Sequence, residues 1–269
     1  MDFQKPDLRP TIFLDTNGLQ YLNSYLRYAE KLQLPPFANP QQYSQLKKKL
    51  RDYFPRAVAN MVIHGCQTLA FLQQEVVEND AAIYTSRLAK AEILHGVLDG
   101  QAHARLAREG LPYRMRQHIR ILSKLVSMYL ERGDYEKLVK EIDELLMTLE
   151  EKGRIKVEFA EDRVEDFFTI AAFSEFLQSQ VFLDVLDCWM YGCAIALQAD
   201  QIITFDDHFR YVINSIHNPQ KKQSWQQIRS SIECQIGSLF PVKTSVIPPI
   251  PKVENLPEKV PELWRENSA

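Results

Sequence analysis

Short runs of large apolar residues that stop abruptly at an acid constrain this chain more than any other feature. Ile12, Phe13 and Leu14 run into Asp15, and Ile202, Ile203 and Thr204 lead to Asp206. Such runs are too short for helices and read as buried strands. An ionised acid at the end of a buried strand is costly unless something pairs with it. Two further runs complete the set of strands. AAIYTS (81–86) ends at a possible helix N-cap, Ser86, and RIKVEF (154–159) alternates apolar and charged residues as a half-exposed strand does.

Helical patterns fill the intervals. They cover 17–34, ended by Pro35-Pro36, then 40–54, 55–80 and 87–98. Residues 101–153 read as helical throughout, with an antiparallel pair joined at ERGD, and 163–177 and 183–199 follow. After about residue 240 the chain turns proline-rich and reads as an extended surface tail. Strands alternating with helices predict an α/β fold with a central, mostly parallel sheet. Ligands of such sheets bind beyond the carboxyl ends of the strands, where Asp15 and Asp206 fall.

Two more acids join them. Glu92 lies on a largely apolar helix with Leu88, Ala89, Ile93 and Leu94 around it, and Lys90 on the far side. Asp184, Asp187, Tyr191 and Gln198 form one stripe of a helix otherwise covered by Trp189, Met190, Cys193, Ile195 and Leu197. Taken singly, each acid also fits a helix cap, a rim residue or a salt-bridge partner. If the four converge, their repulsion calls for a cation, and oxygen-only donors suit Mg²⁺ or Mn²⁺.

The ordered set FLDTN, YTSRLAKAE and LDCWMYGCAIALQADQIITFDDHF resembles the PIN domain family. Asp15-Thr16-Asn17 match its D-x-N, Ser86 and Glu92 its serine-to-glutamate segment, and Asp187 its third acid, with Asp184 as a competing or auxiliary choice. Thr204, Asp206 and Phe209 match its T-x-D-x-x-F. The resemblance implies a three-layer α/β/α sandwich over residues 1–240, with helical insertions at about 24–80 and 101–152 and a tail at 241–269. It also implies a metal-dependent ribonuclease, often the toxin of a toxin–antitoxin pair, in which Asp15, Glu92, Asp187 and Asp206 hold Mg²⁺ or Mn²⁺ while Asn17 and Thr204 orient ligands or water. The long interval between the first two motifs, and Ala199-Asp200 where many relatives turn on a glycine, depart from the pattern. The runner-up is a PIN-like protein that binds RNA or regulates without cleaving. An antitoxin or a second copy is a possible protein partner.

Other classes fail on particular residues. Position 17 is Asn, where a haloacid-dehalogenase-type phosphatase needs a second aspartate, and no G-x-G-x-x-G or P-loop motif occurs. The four cysteines form no CxxC pair, and Cys188 and Cys193 fall on the apolar side of their helix. His208, beside Asp206, reads as a surface histidine before it reads as a ligand. A net charge of −3 excludes a global basic field, so RNA contact rests on local segments. These are Lys47, Lys48 and Lys49 with Arg51; Arg114, Arg116, His118 and Arg120 beside Tyr113; and Lys221 and Lys222 with Trp225. Each segment taken alone reads as a solvated helix face before it reads as an RNA contact. The polar MDFQKPDLRP start is no signal peptide and no apolar run approaches the roughly 18 residues of a membrane span, so a soluble cytoplasmic protein is expected.

Overall fold

The computed structural model describes residues 9–31, 48, 50, 56–112, 115, 132–164, 167–239 and 252–254. In chain order the elements are β1 (Thr11–Leu14), α1 (Thr16–Lys31), α2 (Arg56–Asn79), β2 (Ala82–Thr85), α3 (Arg87–Arg108), α4 (Arg132–Gly153) and β3 (Val157–Phe159). A 3₁₀ turn at Ala160–Asp162 leads to α5 (Phe167–Gln180), α6 (Val185–Ala196), β4 (Gln201–Ile203), α7 (Asp207–His217), α8 (Gln223–Leu239) and β5 (Lys252–Glu254). The strands form one sheet in the order β3-β2-β1-β4-β5, and every pairing is parallel.

This is the expected α/β fold, a sheet between two helical layers, and the strands show why. Successive side chains of a strand point to opposite faces. Ile12, Leu14, Ile83 and Ile203 therefore join one core, with Leu19, Leu22, Val62, Leu69, Ile142 and Leu145 of the helices on that side. Phe13, Tyr84 and Ile202 join the other, with Ile170, Phe173, Cys188, Met190 and Ile213. Apolar residues at every position are what a strand covered on both faces needs.

Helices α1 and α2 approach closely at Gly65. A Cβ there would land on the Tyr21 carbonyl and within 2.7 Å of Tyr25 Cβ. Gly in a mid-helix position normally costs stability relative to Ala, but here the order reverses. Gly65→Ala is expected to destabilise the fold by about 3 kcal/mol or more through overpacking, read as a lowered midpoint in urea with an unchanged slope.

The turn from α6 into β4 dispenses with glycine. Gln198 takes the left-handed conformation, with φ at 54°. Its N–H bonds Ile195 O at 2.9 Å and the Ala199 N–H bonds Ala194 O at 2.9 Å, the paired bonds of a Schellman close. Asp200 then ties the start of β4 to β1, its Oδ2 accepting from Thr11 N at 2.8 Å. The absence of a glycine turn is thus absorbed by one strained residue.

Three expectations change. The helix after β2 runs on from residue 98 to Arg108, the strand near 154–159 is shortened to Val157–Phe159, and the tail contributes β5, which pairs with β4 at Ile202↔Val253. A parallel strand satisfies its backbone on the sheet edge, which outweighs the weak strand pattern of the tail. The expected helices at 40–54 and 113–130 lie outside the described residues except at Lys48, Leu50 and Met115. Among the described residues no helix is long and apolar enough to cross a membrane.

Candidate metal centre

The chain runs from β1 outward through β2 to β3, then returns to add β4 on the other side of β1. The reversal opens a crevice between the carboxyl ends of β1 and β4, the place where parallel sheets bind ligands. Asp15 follows β1 and Asp206 follows β4 at this crevice.

Asp15 is 3% exposed and its carboxylate is fixed at both oxygens. Oδ1 accepts from Thr16 N at 2.6 Å and Oδ2 accepts from the Thr204 hydroxyl at 2.6 Å. Burial drives its pKa up to about 6; those two hydrogen bonds work against the rise, and the charges of Glu92 and Asp206 add to it. Thr204 also accepts from Asp206 N at 3.1 Å, so one hydroxyl links the two strand ends. Asp206 caps α7, its Oδ1 accepting from His208 N at 2.8 Å and Phe209 N at 2.9 Å. The cap occupies one carboxylate oxygen and leaves Oδ2 for other work.

Glu92 reaches the crevice from α3, and its Oε2 accepts from the Thr16 hydroxyl at 2.5 Å. Asp187 comes from the first turn of α6, where Asp184 is the N-cap and accepts from Asp187 N at 2.9 Å. Asp187 is half-buried, and its pKa rises to about 8. Burial is the largest cause, followed by the charges of Asp184, Asp15, Asp206 and Glu92. One carboxylate therefore feels every other expected acid. Residues drawn from 15 to 206 share one electrostatic site.

As a test of fit, the donors are all oxygen, the type a hard divalent cation takes. Among the described residues no three His, Cys, Asp or Glu side chains stand close enough to hold an ion as they are. The set fits Mg²⁺ or Mn²⁺ in kind and place without forming a closed shell.

Three contributors escaped the sequence reading. The side chain that bridges Asp15 to Glu92 is Thr16, which donates from its backbone to one and its hydroxyl to the other, while the expected Asn17 is partly buried beside it. Glu161, just past β3, accepts from the Ser86 hydroxyl at 2.5 Å, Arg87 N at 3.0 Å and Trp189 Nε1 at 3.4 Å. It anchors the start of α3, where Ser86 also accepts from Leu88 N at 3.0 Å as the expected N-cap. Glu161 follows β3 as Asp15 follows β1, but the charged residues Lys156 and Glu158 mask where that strand ends. The third is an aromatic wall in which Phe205 lies 4.9 Å from Tyr21 and 4.7 Å from His64, ring centre to centre. The Tyr21 hydroxyl is pushed above its usual pKa by burial, then by Asp206, Asp15 and Asp207, which sets the wall beside the acids. Its members come from three separate elements, and no spacing announces them.

Of the other expected residues, Cys188 and Cys193 are buried free thiols in the core, and His208 is exposed in the first turn of α7. Lys48 is exposed, whereas Lys47, Lys49, Arg114 and Arg116 lie outside the described residues. Compared with family models, curated proteins and solved structures, the chain finds no match.

Proposed function

We propose that this protein is a PIN-like, Mg²⁺- or Mn²⁺-dependent ribonuclease that hydrolyses RNA phosphodiester bonds at the crevice between β1 and β4. The observation that carries the reading is the electrostatic convergence on Asp187 of Asp15, Glu92, Asp206 and Asp184 at the carboxyl edge of a parallel sheet.

Asp15, Glu92, Asp187 and Asp206 would hold the cation, which supplies a more acidic water and neutralises charge on the phosphodiester. Thr16 and Thr204 position the Asp15 carboxylate, and Thr16 also restrains Glu92. The partly buried rings of Tyr21, His64 and Phe205 form one side of the site, and apolar surface there strengthens the charge interactions beside it. The separation of the acids favours a second reading, a PIN-like protein that binds RNA without turnover.

One experiment divides the two. Purified protein with labelled single-stranded RNA is expected to cleave in Mn²⁺ or Mg²⁺ and to be silent in EDTA. Tight binding with no cleavage in either metal, over several RNA sequences, hands the site to the second reading.

A further inference from the structure

Beside the acids, α7 carries a second polar site. Asp207, Arg210, Tyr211, Asn214 and Asn218 recur at helical spacing along one face, and with Lys221 they line an open recess of about 360 Å³. It starts at Asp207, next to Asp206, and α7 is 11 residues long, so it runs roughly 16 Å from the crevice.

The lining has a definite chemistry. Tyr211 is 57% exposed, and the Lys221 ammonium sits 5.1 Å from the centre of its ring. Arg210 pairs with Asp207 one turn back, which tempers the acid at the crevice end, and it lines the recess with Tyr211. Lys222, next in the chain, is exposed. Charge therefore changes sign along the recess, from acidic at Asp207, next to Asp206, to basic at Lys221, next to Lys222. An exposed ring with one ammonium against it, lining a recess with Arg210 and Asn214, offers stacking for a base, charge for a phosphate and a hydrogen-bonding group for a base edge.

We propose that this recess binds a nucleotide of single-stranded RNA, its base on Tyr211 and its phosphate at Arg210 and Lys221, on the strand that leads away from the acids. The direction of the strand rests on the nuclease reading, and the binding does not. Among the described residues, Lys221 is the basic residue expected to meet RNA that lines it, and Lys222 follows in the chain.

The test is a binding isotherm by fluorescence anisotropy, with a short labelled single-stranded RNA of mixed sequence and Ca²⁺ in place of Mn²⁺. Tyr211→Ala is expected to weaken binding about tenfold, and Tyr211→Phe, which keeps the ring, to stay within about twofold of wild type. Lys221→Glu should weaken binding and make its salt dependence shallower by about one ion. Both side chains are at the surface, and circular dichroism verifies that the variants fold. Equal affinity of Tyr211→Ala and wild type overturns the proposal, as does a wild type that does not bind this RNA or that binds an acidic peptide in its place. If the variants lose binding while wild type never cleaves in Mn²⁺, the nuclease reading fails and the recess stands. If wild type cleaves and Tyr211→Ala binds and cleaves equally, the recess fails and the nuclease reading stands.

Discussion

Asp15→Asn is expected to reduce Mn²⁺-dependent RNA cleavage by at least about a hundredfold while leaving RNA binding intact. Asp15 is the most buried of the expected acids and stands just past the carboxyl end of the central strand. Asparagine has its shape and keeps one acceptor oxygen, so a bond from Thr16 N or from the Thr204 hydroxyl survives, and that hydroxyl can rotate to accept from the new amide. What disappears is the charge. Binding should hold or tighten slightly, because the crevice repels phosphate less. Thr204→Val is the companion variant: it removes one restraint on Asp15 without changing charge and should cost about tenfold, the effect of a positioning residue. Single-turnover cleavage at saturating protein, paired with an isotherm in Ca²⁺, measures both. An Asp15→Asn protein that retains a tenth of wild-type cleavage would remove Asp15 from the metal set.

The second large effect is on stability. Burial pushes the Asp15 pKa up to about 6 and that of Asp187 up to about 8, against 3.8 for a free aspartate side chain. Between roughly pH 4 and pH 8 the folded protein thus holds more protons than the unfolded chain. Stability from these two groups is greatest below that window and falls as pH rises through it. Asp187→Asn removes the larger share. Discounted for the partial exposure of Asp187, the gain at pH 8 is about 1–3 kcal/mol, at about 2–4 °C in Tm per kcal/mol for a chain of this size. At pH 4 the variant and wild type should melt together. Millimolar Mg²⁺ or Mn²⁺ should raise the wild-type Tm more at pH 8 than at pH 5, since metal and protons compete for the same oxygens. Thermal melts at half-unit pH steps, with and without metal, give the whole surface. A constant difference between variant and wild type from pH 4 to pH 8 would contradict the raised pKa values.

The strand ends were legible because a buried parallel strand needs apolar residues at every position, and the first acid after it marks its carboxyl end. Ile12 to Leu14 and Ile202 to Ile203 meet that condition, so Asp15 and Asp206 were found at once. Val157–Phe159 is half-exposed, and Glu158 with Lys156 hides its end in a charged stretch; Glu161 went unnoticed for that reason. Lys252–Glu254 has only Val253 as an apolar residue, and its place on the sheet edge is a matter of tertiary pairing, which periodicity does not record. The bridging by Thr16 was hidden too, because its partners Asp15 and Glu92 come together only when α1 packs against α3. Helix periodicity says which face a basic residue occupies but not how far that face stands from the crevice. Tyr211 and Lys221 were brought together by the turn after α7, which no helical spacing contains.

The position of β1 in the middle of the sheet has a consequence for synthesis. The bond from Thr204 to Asp15 spans 189 residues, and β1 exposes one edge until β4 arrives. At about 5–20 residues per second on a ribosome, roughly 10–40 s separate the emergence of the two halves of the site. For most of that interval the nascent chain carries Asp15 but not Asp187, and throughout it lacks Asp206, so no complete acid cluster exists. On the nuclease reading proposed above, the chain lacks its full set of acids until the segment that follows β4 has been made.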